Sequence, residues 1–295
     1  MKKSSDHGAV LITGASTGIG AACALHLDRL GFRVFAGVRK ESDGVLLKQK
    51  SSERLTPVII DVTDPAMITA ALELVRQEVG GAGLAGLVNN AGIAIVGPME
   101  FISASELRRQ LEVNIIGTLA VTQAFLPLLR IARGRIVNMS SISGRIVEPM
   151  MGPYSISKFG LEAMTDTLRL ELRSQGIFVT SILPGVVQTP IWEKSINAAK
   201  EHYNRITPEG HQLYDYLFHG MVETATKMVN SGQAIQMVTH AVARALTVKR
   251  PKVHYLLGFQ IKLMDGLARF VPASTLDQLI LRLLGLSKAI DCSGS

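Results

Sequence analysis

Short apolar runs alternate with longer stretches of helical periodicity along the first 190 residues. The runs are Ala9–Thr13, Arg33–Gly37, Pro57–Ile60, Gly86–Asn89, Arg135–Met139 and Ile177–Leu183, and amphipathic stretches begin near Gly18, Asp64, Ala104 and Tyr154. Near-continuous apolar strands separated by helices belong in a parallel sheet covered on both faces. Right-handed crossovers then make a doubly wound α/β sheet of the Rossmann type the expected architecture. No repeat or low-complexity linker interrupts the rhythm, so the 295 residues are read as one domain. A soft prior of about 150 residues per domain would have allowed two.

The rhythm breaks at about residues 190–230, which hold the single tryptophan, Trp192, with Tyr203, Tyr214, Tyr216, Phe218 and Met221. This segment follows a strand's carboxyl end, where ligands bind in such sheets, and is expected to form a substrate lid. An ordinary helical excursion is the alternative. Pro251–Leu257 reads as a last strand, and Leu276, Leu279, Ile280, Leu283 and Leu284 fall at helical spacing in a C-terminal tail, about 259–295. With Lys262, Arg269, Arg282 and Lys288 nearby, that amphipathic helix has two readings. It packs on its own domain or a second subunit, or it touches a membrane surface.

Hydrophobic residues make up 47% of the chain, enough to fill a large core. The net charge of +7 is scattered, with Arg39-Lys40 among few adjacent basic pairs, so no nucleic-acid partner is expected. Mean hydropathy is +0.26, yet no run of about 18 apolar residues is present and no signal core follows Lys2-Lys3. A cytoplasmic location with at most peripheral membrane contact is expected. Cys23 and Cys292 offer no disulfide framework, and His202, His211, His219 and His240 lack metal-binding spacing, so no metal is assigned. Cys23, among Ala21, Ala22 and Ala24, reads as small core packing.

Thr13-Gly14-Ala15-Ser16-Thr17-Gly18-Ile19-Gly20 joins the first strand to the first helix. Three glycines let the backbone approach a ligand, and the helix N-terminus that follows presents free N–H groups to a pyrophosphate. The spacing G-x-x-x-G-x-G differs from the commoner G-x-G-x-x-G. An acid near the end of the second strand would bind a ribose 2′-hydroxyl. Gly37-Val38-Arg39-Lys40 stands there instead, with no carboxylate before Glu41. Two cations favour a 2′-phosphate, hence NADP(H) over NAD(H), unless Arg39 and Lys40 are only solvated charges.

Tyr154 and Lys158 lie four residues apart at the start of a helix, on one face. A free phenol, with a pKa of about 10, is a poor base. An ammonium about 4 Å away would lower that value by about two to three, and an oxidised nicotinamide would add to the effect. Asn138-Met139-Ser140-Ser141 ends the fifth strand, where Ser141 could bond a substrate oxygen, and Asn89-Asn90-Ala91-Gly92 ends the fourth. Asn114, among Val113, Ile115 and Ile116, is awkward in a purely structural helix, although an exposed or backbone-satisfied Asn is the open alternative.

Together with Asp61-Val62 and Pro184-Gly185-Val186-Val187-Gln188-Thr189, these motifs resemble the short-chain dehydrogenase/reductase family over residues 8–257. Gly31–Val38 resembles its hydroxysteroid and retinol dehydrogenase branch more narrowly. The resemblance implies that Tyr154 is the general acid/base and that Ser141 holds the reacting carbonyl or hydroxyl. Lys158 would bind the nicotinamide ribose and lower the tyrosine pKa, while Asn114 would support a water relay. Asp61 would meet the adenine, Asn89 the adenosine ribose region, and Val187–Thr189 the nicotinamide side. It further implies a lipophilic alcohol or ketone substrate, steroid-, retinoid- or long-chain-like. Ile142, Met150, Met151, Trp192 and Met221 suit an apolar pocket, or equally a core. Helices over Ile115–Ile131 and Tyr154–Ser174 are apolar on more than one face, which in this family implies a homodimer or homotetramer. The rival from another class is a dinucleotide sensor without chemistry.

Overall fold

Every apolar run identified above forms a strand. The strands are β1 (Ala9–Ile12), β2 (Arg33–Val38), β3 (Leu55–Ile59), β4 (Gly86–Asn89), β5 (Arg135–Met139), β6 (Phe178–Leu183) and β7 (His254–Leu256). They make one parallel sheet ordered β3-β2-β1-β4-β5-β6-β7. The computed structural model describes residues 7–187, 190–230 and 234–286, without the side chains of 190–195, 202 and 228–230. Chain direction across the sheet reverses between β1 and β4, and the cleft outside their carboxyl ends is the switch point where ligands bind in such sheets.

The helices are α1 (Gly18–Arg29), α2 (Glu41–Lys48), α3 (Pro65–Val79), α4 (Ala104–Leu111), α5 (Thr118–Ala132), α6 (Gly152–Glu171), α7 (Pro190–Tyr203), α8 (Pro208–Asn230), α9 (Ile235–Thr247), α10 (Phe259–Phe270) and α11 (Ala273–Leu283). Cys23, Ala24 and Leu27 of α1 and Val238, Val242 and Leu246 of α9 bury one sheet face with Val10, Ile12, Val34 and Val137. Ile68 and Val75 of α3, Val121, Phe125 and Leu129 of α5 and Leu168 of α6 bury the other, against Leu11, Phe35, Leu87 and Ile136. Burial pushes the Cys23 thiol up to about 12, so it behaves as an inert small hydrophobe.

The helical run Ala104–Ala132 is apolar and long enough to cross a membrane by length and composition alone. Here its α5 part is a core helix, with Val121, Phe125, Leu128 and Leu129 buried on the sheet. The run is not one uniform α-helix. Glu112–Gly117 adopts a π-helical turn between α4 and α5, which the apolar periodicity alone did not anticipate.

The segment expected as a lid forms α7 and α8. Tyr203 stacks on Phe218 with centroids 3.8 Å apart, and its hydroxyl donates to Asp215 at 2.9 Å. Ala199, Tyr203, Ile206 and Phe218 bury against Met150. Part of the C-terminal stripe packs within the chain: Ile280, Leu284 and Leu286 are buried with Ile142 and Ile146, and Leu217 and Met221 of α8 pack against them. Leu283 of the same stripe is 58% exposed. Exposed aromatic surface in this region lies on α10, where Phe259 is 79% and Phe270 87% exposed.

Candidate active site

The turn after β1 is sterically closed to anything but glycine at two positions. Gly14 has φ +66°, and a Cβ there would stand 2.8 Å from Ala91 Cα. A Cβ on Gly20 would overlap the Gly14 carbonyl oxygen. Gly18 also has positive φ, at +58°. Thr17 gives α1 no side-chain cap, and no acid occupies its first turn. The terminal N–H groups therefore face the turn uncompensated, with half-buried Ser16 and Ile19 beside them. A backbone cradle with a positive helix end fits a pyrophosphate.

This turn is locked to the end of β4. Thr13 Oγ1 accepts from both Asn90 N and Ala91 N at 3.1 Å, and Asn90 Nδ2 donates to Thr13 O and Gly14 O at 3.0 Å. Asn89 points the other way. Its Nδ2 donates to Thr122 Oγ1 at 3.0 Å and Asn138 Oδ1 at 2.9 Å, inside the sheet layer. Any reach of Asn89 toward a ribose is thus left to its backbone. Thr13 and Asn90, which the motif reading did not assign, hold the cradle's shape.

Asn114 is 2% exposed inside the π turn. Its Oδ1 accepts from Ile93 N at 2.9 Å, and its Nδ2 donates to Ile93 O and Ser157 Oγ, both at 3.0 Å. The alternative of an exposed Asn is removed, and the backbone-satisfied one holds. A Cβ on Gly92 would stand 3.3 Å from Asn114 Oδ1, a tight approach to that amide. At the other end of the cleft Arg39 and Lys40 are exposed just beyond β2. Burial disfavours the Asp61 carboxylate, but Thr63 and the nearby Arg39 charge outweigh this and hold its pKa low. Val62 is buried, packed on Gly117 of the π turn.

Ser141, Tyr154 and Lys158 converge where β5 ends against α6. Ser141 Oγ accepts from Ser143 N at 3.2 Å, and Ile142 N donates to Pro184 O at 3.1 Å, tying this loop to the Pro184–Val187 strand end. Gly185 is half-buried and Val187 is in the core, while Thr189 lies outside the described residues. Lys158 Nζ donates to Met139 O at 2.7 Å and stands 5.5 Å from the Tyr154 ring centroid.

The expected lowering of the Tyr154 pKa is not what this arrangement produces. Burial pushes the phenol up to about 12, the Ser141 hydroxyl opposes that rise, and the Glu148 charge adds to it. Burial likewise lowers Lys158 to about 8, with Glu162 pulling it back up. Removing both groups from water penalises both charged forms, and the ammonium is engaged with a carbonyl rather than the phenol oxygen.

Glu162 follows Lys158 by four residues and Tyr154 by eight, so one face of α6 carries all three. That spacing was available as a signal and was not used. Burial raises its carboxyl, but His254, Ser140 and Arg145 outweigh it and keep it ionised. Arg145 Nη2 donates to Glu162 Oε2 at 2.7 Å, and Arg145 Nε lies 3.6 Å from Asp265 Oδ1. This network joins α6 to β7 and α10 behind the lysine.

Just ahead of α6 lies an apolar cleft lined by Met150, Met151, Val186, Ile196, Phe218 and Met221, with Glu148 at its wall; neither Tyr154 nor Ser141 lines it. Three residues expected for a pocket, Met150, Met151 and Met221, are there. Ile142 instead packs on the C-terminal helix, and the side chain of Trp192 lies outside the described residues.

Residues 8–200 match the short chain dehydrogenase family. Retinol dehydrogenase 5 of Mus musculus is 36% identical over 277 residues, covering 92% of this chain and 87% of that protein. The 17-beta-hydroxysteroid dehydrogenase type 6 of Homo sapiens is 35% identical over 287 residues, with the same 92% and 87% coverage. A short-chain dehydrogenase from Burkholderia cenocepacia J2315, solved in complex with NADP, superposes with TM-score 0.68 at 27% identity, covering 94% of this chain and 98% of that one. The chain belongs to the short-chain dehydrogenase/reductase family, on its hydroxysteroid/retinol side, and is an oxidoreductase with a nucleotide-binding Rossmann fold.

Proposed function

We propose that the protein transfers a hydride between NADP(H) and a secondary alcohol or ketone on a lipophilic molecule, steroid-, retinoid- or long-chain-like. The observation that carries this reading is the meeting of Ser141, Tyr154 and Lys158 at the junction of β5 and α6, with the cleft residues Met150 and Met151 immediately before that helix. The Gly14–Gly20 turn, Ala91, Gly92, Asp61, Val62, the Asn89 backbone and Pro184, Gly185 and Val187 would hold a dinucleotide along the switch-point cleft. When bound, the nicotinamide supplies the hydride chemistry.

Ser141 orients the substrate oxygen. Tyr154 donates its proton to that oxygen in reduction and withdraws it in oxidation. A phenol held up by burial is protonated at neutral pH, ready for the donating direction. Oxidation needs the phenolate and so gains from rising pH. Lys158 holds a ribose hydroxyl, and Asn114 fixes the Ile93 backbone at which a relay water would sit.

Tyr154→Phe removes only the transferable proton. Turnover is expected to fall by about 10²–10⁴-fold while cofactor affinity, measured by fluorescence titration, stays within a factor of a few. Turnover at the wild-type rate contradicts the role.

The choice of NADP(H) rests on exposed Arg39 and Lys40 with no acid at the end of β2. A charge-assisted contact of about 1.5–3 kcal/mol predicts that Arg39→Asp shifts the NADPH/NADH preference in kcat/KM by about tenfold or more toward NADH. An unchanged ratio removes the argument.

Assembly as a homodimer or homotetramer is supported by apolar side chains left outside on α5 and α6. Ile131 is 56%, Ile156 44% and Phe159 42% exposed. Sedimentation velocity should give at least a dimer mass for the wild type, and a monomer at micromolar concentration contradicts this.

A further inference from the structure

Resting on that reading of the site, we propose that Glu148 is a substrate-binding group, selecting lipophilic alcohols and ketones that carry a second hydroxyl. Among the described residues, Glu148 is the one ionisable side chain lining the cleft, and Thr224 is the other with a polar group. The Thr224 hydroxyl is already used, donating to Leu284 O at 3.0 Å. The Glu148 carboxyl makes no side-chain hydrogen bond or ion pair with any described residue. The fully buried carboxyls are served: Asp28 accepts from Ser52 N at 2.9 Å and Ser52 Oγ at 2.5 Å, and Glu162 has Arg145 and His254. Glu148 is half-buried at an apolar wall, where a ligand hydroxyl can offset part of the desolvation of its carboxyl. Burial accordingly holds its pKa above the ordinary value.

The backbone that carries Glu148 is held in a defined turn. Met151 N donates to Glu148 O at 3.2 Å across a turn with Pro149 at its second position. Met150 takes the third position with φ +66°, a left-handed conformation unusual for a side-chain-bearing residue. Gly97 N donates to Met150 O at 2.8 Å and fixes the turn from outside. Strained turns of this kind persist where the surroundings enforce them, commonly beside ligands. The turn lies directly before α6, and the charge of Glu148 reaches the Tyr154 phenol. A substrate oxygen seated on Tyr154 and Ser141 would extend toward this cleft, where Glu148 is the ionisable side chain among the described lining residues.

A hydroxyl suits that wall better than an amine. It donates to the carboxylate or accepts from the neutral acid, so either protonation state is matched. An ammonium would itself have to be desolvated among Met150, Phe218 and Met221.

The test uses the full-length enzyme saturated with NADPH, with which an alcohol does not react. Calorimetry compares 2-decanol with decanediols whose second hydroxyl steps along the chain, for wild type, Glu148→Leu and Glu148→Gln. At least one diol is expected to bind wild type about tenfold or more tightly than 2-decanol. Glu148→Leu should erase that preference, and Glu148→Gln should keep part of it. Thermal melts check folding, and removal of a half-buried carboxyl without a partner among the described residues predicts no loss of Tm in Glu148→Leu. Absence of any diol preference in wild type overturns the proposal, as does a preference that survives Glu148→Leu. Tighter binding of the matching amino alcohols than of every diol overturns the hydroxyl assignment. Turnover of the same ligands with NADP⁺ is read separately. A Glu148-dependent preference without any oxidation contradicts the proposed reaction and leaves the binding assignment standing.

Discussion

Desolvation of the Tyr154–Lys158 pair is the constraint around which the site is arranged. Both groups sit on one face of α6 where β5 ends, enclosed by the Ser141 loop and Met139. Taking a phenol and an ammonium out of water penalises both ions, so the phenol is held up to about 12 and the amine down to about 8. Everything placed nearby acts against one of those penalties or adds to it. Ser141 favours the phenolate, Glu162 favours the ammonium, and Glu148 disfavours the phenolate. Glu162 stays ionised because Arg145 and His254 bind it, and they come from the loop after β5 and from β7. The last strand and the C-terminal helices are therefore coupled to the chemistry through a chain of charges rather than by direct contact.

The sheet supplies the second half of the arrangement. Thr13 and Asn90 pin the glycine turn to the end of β4, so the pyrophosphate cradle and the Asn114 region are held in one rigid unit. The π turn at Glu112–Gly117 brings Asn114 inward to bond Ile93 and Ser157. Ser157 is a neighbour of Lys158 on α6, so the fourth and fifth strand ends communicate through a single buried amide. Ala199 and Tyr203 of α7 and Phe218 of α8 bury against Met150, and Leu284, just after α11, packs in the cluster that includes Met221 of α8.

Much of this could be read from residue order. Strands such as Val10–Ile12 and Ile136–Met139 are apolar on both faces, a pattern that suits a parallel sheet and little else. The glycines at 14 and 20 announced a turn where side chains do not fit, and Tyr154 and Lys158 announced a shared helical face. Helix α2 was missed because Glu41–Lys48 has only Val45, Leu46 and Leu47 as a weak apolar stripe, of which Leu47 alone is buried. The inward turn of Asn89 depends on Thr122 and Asn138, which are distant in sequence. The direction of the Tyr154 pKa was misjudged because spacing reports proximity to Lys158 and not enclosure from water. Glu148, between Val147 and Pro149, looks like an ordinary loop charge until the cavity wall is assembled around it.

In the free protein the Tyr154 phenol is held protonated, and cofactor binding brings it into a working range. Ultraviolet difference titration of tyrosinate, wild type minus Tyr154→Phe, with and without NADP⁺, measures this. The Tyr154 midpoint in the unliganded protein is expected well above that of a free phenol, at about 12. With NADP⁺ bound, the positive nicotinamide should move that midpoint downward by about one or more. A midpoint near neutrality without cofactor, or one that NADP⁺ leaves unmoved, would rule this out.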